Sequence, residues 1–142
     1  MFDIIIIGGG PAGLTAALYG RRQNKSVLVL EKNSFGGQTV FSPKIENYPG
    51  FVEMSGMEFS DKLVDQVLKQ GADLRMETAV EITDLGKTKK VTTDCGEYES
   101  RTVIIATGAK HRLLGLEGEE ELIGNGISFC AVCDGAFYAG KD

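Results

Sequence analysis

The chain has 142 residues, a formal net charge of −5, 42% hydrophobic residues and 25% charged residues. This length and composition suit a globular protein with one well-formed core. The acidic balance argues against a nucleic-acid partner, which usually calls for a basic face. No signal peptide is visible and no apolar run approaches the ~20 residues of a membrane helix, so we expect a cytoplasmic protein without a membrane partner.

The first 31 residues predict a βαβ unit. Residues 2–7 form a short apolar run without alternation, which is typical of a strand buried on both faces. Residues 14–23 are rich in Ala and Leu and predict a helix, and residues 26–31 predict a second buried strand that ends in an acid. Such a unit implies a parallel sheet.

An irregular segment comes next, over residues 32–54, and a loop of that length is usually functional or disordered. Ser55 and Glu58 then have the spacing of a capping box, which predicts the start of a second helix. An apolar stripe continues this helix until Gly71, a residue that commonly ends helices.

Short strands dominate the pattern after residue 72. Residues 74–76 predict a third parallel strand. Three further strands, at residues 79–85, 91–93 and 98–101, predict a small antiparallel meander. Residues 102–106 then predict another buried strand. We therefore expect an α/β, Rossmann-like three-layer fold with a parallel sheet and a small β-meander, followed by an acidic, loop-like stretch up to Cys130.

The first strand is followed by three glycines in the Gly-x-Gly-x-x-Gly spacing, which open the first helix. Gly8 permits the tight turn, Gly10 lets a pyrophosphate approach backbone N–H groups, and Gly13 allows close packing of helix on strand. Glu31, which lies 18 residues after Gly13, can accept hydrogen bonds from ribose hydroxyls. The unit predicts dinucleotide binding rather than a purely structural turn, and it does not separate FAD from NAD(P).

A second chemical motif is Cys130-x-x-Cys133, followed directly by Asp134. Two thiols at this spacing can form a reversible redox disulfide, and Asp134 can move protons as it opens. A zinc site is the main alternative, but only Cys95 and His111 could complete a set of four ligands. A structural disulfide is a further alternative, although such bonds are rare in the cytoplasm. We expect Cys95 to be a bystander thiol, His111 a surface residue, and no bound metal.

The chain contains five short motifs in order: residues 8–13 (GGGPAG), 36–38 (GGQ), 46–50 (ENYPG), 106–109 (ATGA) and 130–135 (CAVCDG). Together they resemble those of the low-molecular-weight, bacterial-type thioredoxin reductases. The resemblance covers essentially the whole chain, and the last motif is nearly diagnostic.

This resemblance implies an FAD-binding Rossmann-like fold. The glycines would hold the pyrophosphate, Glu31 the adenosine ribose, and the backbone at Val80 the adenine. Residues 37, 38 and 47 would lie along the flavin half, and residues 107–108 would close over the cofactor. The full set of cofactor-binding residues that it implies is Gly8, Gly10, Pro11, Ala12, Gly13, Glu31, Lys32, Gly37, Gln38, Asn47, Val80, Ala106, Thr107 and Gly108.

The same resemblance implies the roles of the redox residues. Cys133 would be the sulfur nearest the flavin, Cys130 the other half of the disulfide, and Asp134 the acid–base group. Members of the family pass a hydride from NADPH to FAD, then electrons to the disulfide and finally to thioredoxin. A homodimer is implied for the parent protein.

Members of the family are longer and carry a second glycine loop, for NADPH, just after the position of Asp142. We therefore expect residues 1–114 to be the N-terminal portion of the FAD domain and residues 115–142 the start of the NADPH domain. On this interpretation the chain is a fragment that does not turn over alone. Two alternatives stay open. The first is a related flavoprotein reductase that serves a peroxiredoxin or another dithiol partner, or that receives its electrons from ferredoxin. The second is a non-catalytic FAD-binding module.

Overall fold

The computed structural model describes residues 1–123, 126–130 and 140. The chain divides into two compact units, Met1–Gly108 and Ala109–Asp142. The domain boundary expected between residues 114 and 115 stays a prediction. Within the described residues, no helix combines the length and apolar character that crossing a bilayer requires.

A six-stranded sheet forms the centre of the first unit. Its strands are β1 (Phe2–Ile7), β2 (Val27–Glu31), β3 (Asp73–Met76), β4 (Ala79–Asp84), β5 (Lys89–Thr93) and β6 (Glu97–Ile105), and their order in the sheet is β3-β2-β1-β6-β5-β4. β1, β2, β3 and β6 run parallel to one another, whereas β4, β5 and β6 form an antiparallel meander. The parallel sheet and the meander predicted from sequence are therefore confirmed.

Two helices belong to this unit, α1 (Pro11–Arg22) and α2 (Gly56–Lys69). α1 begins earlier than predicted, because the fixed φ and missing N–H of proline suit the first helical position. The predicted cap of α2 is confirmed, since Ser55 Oγ accepts a hydrogen bond from the backbone N–H of Glu58 at 3.1 Å. Both helices pack on the same face of the sheet.

Side chains of β1 and β2 alternate between two separate cores. Ile6 and Val29 are buried against the helices. Ile5 and Leu28 are buried on the opposite face, together with Val91 of the meander. Successive side chains of a strand point to opposite faces of the sheet. Because the helices cover one face and the meander covers the other, both sets of side chains are buried, which explains the unbroken apolar runs of β1 and β2. Helices, parallel sheet and meander thus form the three layers that the sequence predicts.

The prediction of two consecutive strands, at residues 98–101 and 102–106, was wrong, because the structure has the single strand β6 there. It is a single strand that changes partners at the buried Ser100, which pairs with Lys89 of β5 and with Phe2 of β1. One extended backbone serves both pairings, so no turn separates the meander from the parallel sheet. Its carboxyl end is less buried than predicted, with Ile105 67% exposed, because it borders an open groove.

The segment over residues 32–54 is more ordered than its sequence suggests. It contains a 3-10 helix, Gly37–Phe41, and an antiparallel bridge between Ile45 and Met54. At Gly36 the φ angle is +103°, and a Cβ there would collide with the Ser60 side chain of α2. A glycine at this position therefore lets the segment pack directly on α2.

In the second unit, part of the stretch predicted as loop forms a single helical turn, α3 (Glu119–Leu122). Glu119 is buried, and its carboxylate accepts hydrogen bonds from the backbone N–H groups of Leu114, Gly115 and Leu116. These bonds hold the pKa of Glu119 below its ordinary value, although burial opposes them. The carboxylate therefore organises the turn that precedes its own helix.

The amino ends of β1 and β2 are joined through Asp3 and Ser26. Asp3 N–H donates to Ser26 Oγ at 2.8 Å, and both the N–H and the hydroxyl of Ser26 donate to Asp3 Oδ2 at 2.9 Å. The backbone and side-chain hydrogen bonds from Ser26 hold the pKa of Asp3 below its ordinary value. Ionised Asp3 therefore stabilises the folded chain.

The substitution Asp3→Asn tests this linkage. Because the pKa of Asp3 is lower in the folded than in the unfolded chain, its stabilisation is complete above the unfolded pKa of about 4 and is lost as the pH falls through the folded pKa. We expect the variant to have a lower Tm than the parent at neutral pH, and the difference to shrink as the pH is lowered further below about 4. Thermal unfolding followed by circular dichroism measures both, with exposed Asp65→Asn as the control. A deficit that does not change with pH would contradict the account.

Candidate functional site

The candidate site lies at the carboxyl edge of the parallel strands, where ligands of open α/β sheets bind. The glycine loop, residues 8–13, follows β1, while residues 77–79 follow β3 and residues 106–108 follow β6. A cavity of about 220 Å³, here called the strand-end cavity, lies among these segments. It is lined by Ile7, Gly8, Leu30, Glu31, Lys32, Glu77, Thr78, Ala79 and Thr107.

Two glycines of the loop are required by the packing of the protein itself. Gly8 has a φ of +107°, and a Cβ there would overlap the carbonyl of Ala106. A Cβ on Gly13 would overlap the carbonyl oxygen of Gly8. These approaches bring the ends of β1 and β6 and the first turn of α1 into direct backbone contact.

Gly10 is different, because no contact with the described residues requires a glycine there. Its φ of −75° is open to any residue, and a Cβ would meet nothing closer than the Gly37 Cα at 3.9 Å. Gly10 is the N-cap of α1, so the space beside it adjoins the N–H groups and the positive end of the helix dipole. This open cradle fits a pyrophosphate, and hence the dinucleotide predicted from the motif.

Glu31 joins the end of β2 to the glycine loop. Its Oε2 accepts a hydrogen bond from Gly9 N–H at 2.7 Å, and its Oε1 accepts one from Asn33 N–H at 3.0 Å. A carboxylate can accept about four hydrogen bonds, so capacity remains for the ribose hydroxyls that were predicted. Sequence reasoning missed this anchoring of the loop; the only available signal was an acid at the end of a strand beside a glycine loop.

The cavity wall formed by residues 77–79 was also missed. The positions of these residues follow from the pairing of β3 with β2 and of β4 with β5, and neither pairing can be read from local sequence. Val80, predicted to meet the adenine, lies next to this wall but is 63% exposed. It lines a neighbouring groove with Ile105, and Thr107 borders both the groove and the strand-end cavity.

The remaining predicted cofactor residues are divided among several places. Pro11 and Ala12 form the first turn of α1, and Lys32 is an exposed residue at the rim of the strand-end cavity. Gln38 belongs to the 3-10 helix, whereas Asn47 is exposed in the loop closed by the Ile45–Met54 bridge. Gly108, with a φ of +67°, ends the first unit. The predicted contacts of Gln38 and Asn47 with a flavin stay predictions.

Cys130 is half-buried and disulfide-bonded. Its backbone N–H donates to Ser128 Oγ at 3.1 Å. The other predicted redox residues, Cys133 and Asp134, lie outside the described residues. Their predicted roles therefore stay predictions.

Cys95 and His111, which the sequence analysis considered as possible zinc ligands, belong to different units. Cys95 is an exposed free thiol whose pKa is raised by a hydrogen bond with Asp94, so it is a poor nucleophile at neutral pH. His111 is exposed and stacks on Phe129, with ring centroids 4.6 Å apart and planes 4° apart. Across residues 1–123, 126–130 and 140, no group of three metal-ligating side chains is found.

Comparison with known proteins decides the family. The family model described as pyridine nucleotide-disulphide oxidoreductase matches residues 2–142. The chain belongs to this family. A thioredoxin reductase of Listeria monocytogenes is 46% identical over 142 residues, which are 100% of this chain and 44% of that relative. The chain thus spans less than half the length of the curated relatives that it matches.

Solved structures of proteins named thioredoxin reductases show the same fold. The thioredoxin reductase of Streptococcus pyogenes matches with a TM-score of 0.85 and 47% identity, over 96% of this chain and 45% of that one. A ferredoxin-flavin thioredoxin reductase of Clostridium acetobutylicum matches with a TM-score of 0.73 and 33% identity, over 96% of this chain and 47% of that one. The resemblance to thioredoxin reductases that the five motifs indicated is confirmed.

Two glycine substitutions separate the ligand cradle from the packing. Gly10→Ala should cost at most about 1 kcal/mol of stability, as expected at an N-cap, yet weaken FAD binding at least about tenfold because the methyl enters the cradle. Gly13→Ala should destabilise the fold by several kcal/mol, because its Cβ overlaps backbone. Thermal unfolding and FAD fluorescence titration measure the two effects.

Gly96→Ala, at a meander turn with open space around it, is the matched control and should change neither quantity. If Gly10→Ala bound FAD as tightly as the parent chain, the cradle would not be the pyrophosphate site.

Proposed function

We propose that this chain supplies the FAD-binding and redox-disulfide portion of a flavin-dependent thioredoxin reductase. The observation that carries the proposal is the open cradle beside Gly10, because packing against the described residues gives no reason for a glycine there. Its position at the N-terminus of α1, beside a cavity that also contains Glu31, suits a dinucleotide. The family match and the likeness to thioredoxin reductases support the rest.

The residues of the chain would act on the cofactor by binding and orientation. The N–H groups of the first turn of α1 would hold the pyrophosphate in the cradle, and Glu31 would accept hydrogen bonds from the ribose while it anchors the glycine loop. Thr107, at the end of β6, would border the bound nucleotide. When bound, FAD supplies two-electron redox chemistry between a nicotinamide and a disulfide.

The redox step proposed for Cys130 and Cys133 is the reduction of a disulfide to two thiols. The S–S bond breaks, and two electrons and two protons are taken up, the electrons coming originally from NADPH. Asp134, next to Cys133 in sequence, would transfer one of the protons. The dithiol would then attack the disulfide of thioredoxin through a mixed disulfide, which leaves thioredoxin reduced and the Cys130–Cys133 bond re-formed. A homodimeric, cytoplasmic whole protein is part of the same proposal.

A second candidate keeps the disulfide chemistry and changes the electron donor. The structural match to a protein named ferredoxin-flavin thioredoxin reductase favours it. Reduced ferredoxin would supply the same two electrons singly, with both protons from solvent. Peroxiredoxin and other dithiol proteins remain alternative acceptors.

The experiment uses the whole protein that carries this chain, mixed anaerobically with either NADPH or reduced ferredoxin. We expect a yellow protein whose flavin absorbance is bleached rapidly by NADPH, followed by thioredoxin reduction. Cys130→Ser should leave the bleaching intact but lower thioredoxin reduction by at least about a thousandfold, because a single thiol cannot complete the exchange. Stopped-flow absorbance and an insulin-precipitation assay measure the two steps.

Cys95→Ser is the matched control and should keep full activity, since this exposed thiol lies in the meander. Bleaching by ferredoxin alone would select the second candidate. A colourless whole protein, or a Cys130→Ser variant as active as its parent, would refute the proposed function.

A further inference from the structure

Glu77 is an almost buried carboxylate in the wall of the strand-end cavity. Its side chain is only 10% exposed. Oε2 accepts a hydrogen bond from Thr93 Oγ1 at 2.7 Å, and Oε1 accepts one from the Tyr98 hydroxyl at 2.8 Å. The Arg75 guanidinium lies 3.8 Å from Oε1 and also donates to the Tyr98 hydroxyl at 2.9 Å. Three elements of the sheet thus converge on one acid.

The residue after Glu77 is held by the same part of the meander. Thr78 N–H donates to Asp94 Oδ1 at 3.0 Å, and Asp94 N–H donates to the Thr78 carbonyl at 3.1 Å. The backbone hydrogen bond from Thr78 also holds the pKa of Asp94 below its ordinary value. Hydrogen bonds with β5, β6 and the turn between them therefore fix the positions of residues 77 and 78.

The next residues form a β-bulge. Ala79 pairs with Thr93 and Glu81 pairs with Thr92, so Val80 falls outside the one-to-one register of β4 and β5. In a bulge the extra residue leaves the regular ladder, and bulges are frequent beside binding sites. The Val80 backbone thereby follows the cavity wall, and borders the neighbouring groove, in a geometry that a regular strand does not provide.

The carboxylate of Glu77 is poorly suited to touch a ligand itself. Both of its oxygens already accept hydrogen bonds from hydroxyls of the meander, and Arg75 partly compensates its charge. Direct repulsion or attraction of a nucleotide is therefore a minor effect. Glu77 can, however, fix the position of the cavity wall. A movement of the wall would leave its buried carboxylate without hydrogen-bond partners, which costs free energy.

We propose that Glu77 is a positioning residue for the adenosine half of the dinucleotide: bonded to Thr93 and Tyr98, it holds the cavity wall so that the Val80 backbone meets the base edge. The proposal rests on the proposed function, in which this cavity binds the adenosine of FAD. It gives the meander a role in base selection, in addition to covering the sheet.

The test measures the affinities of the 142-residue chain for ADP and GDP, which share ribose and diphosphate and differ in the base. We expect the parent chain to prefer ADP. Glu77→Ala and Tyr98→Phe should each weaken ADP binding about tenfold, as expected when a hydrogen bond between the Val80 backbone and the base edge is lost, and leave GDP binding within about twofold. Isothermal titration calorimetry gives both affinities, and thermal unfolding without nucleotide monitors the fold.

Glu97→Ala is the matched control, because Glu97 is an exposed acid of the same meander that pairs with Lys90; it should leave both affinities unchanged. Tyr98→Phe keeps the ring, so it provides a test if Glu77→Ala does not fold. A parent chain that binds neither ADP nor FAD overturns the proposed function and this inference with it. Four results would overturn the inference alone. The parent chain could bind ADP and GDP equally well, or the folded variants could bind ADP as tightly as the parent. The variants could also lose ADP and GDP affinity equally, or both could fail to fold.

Discussion

The close backbone approach at Gly8 is the constraint on which the rest of the structure depends. At this point the end of β1 meets the carbonyl of Ala106 after β6, and Gly13 meets the carbonyl of Gly8. No side chain fits at either contact, so two strands and a helix converge within one turn of chain. Because β2 is anchored to the same loop through Glu31 and Gly9, the strand ends enclose a cavity rather than diverging from one another.

The meander completes this arrangement from the other side. β6 carries the parallel sheet into the meander without a turn, since Ser100 pairs with both β1 and β5. Val91 then covers Ile5 on the face opposite the helices. A contribution of roughly 1.5–3 kcal/mol is typical for each such fully buried aliphatic side chain. The meander also places the Tyr98 hydroxyl within hydrogen-bond distance of Glu77. The packing of the meander on the sheet therefore contributes both to the core and to the wall of the cavity.

Much of this could be predicted from sequence where the determining interactions are local. The βαβ unit and the Ser55 cap each depend on a short stretch of chain, and both were confirmed. The dinucleotide binding predicted from the glycine spacing stays a prediction. The single strand β6, the Glu31–Gly9 bond and the wall containing Glu77 were not foreseen, because they depend on pairings between segments distant in the chain. The disulfide bond of Cys130 agrees with its motif. The redox roles of Cys130, Cys133 and Asp134 stay predictions, and the last two residues lie outside the described residues.

The central claim is that the carboxyl edge of the sheet binds a dinucleotide through the space beside Gly10. A crystal structure of the chain with bound ADP tests it most directly. The account predicts that the diphosphate lies in the cradle between Gly10 and Gly37, with the ribose at Glu31 and the base beside Val80. A diphosphate bound away from the N-terminus of α1, with the cradle left empty, would contradict the account.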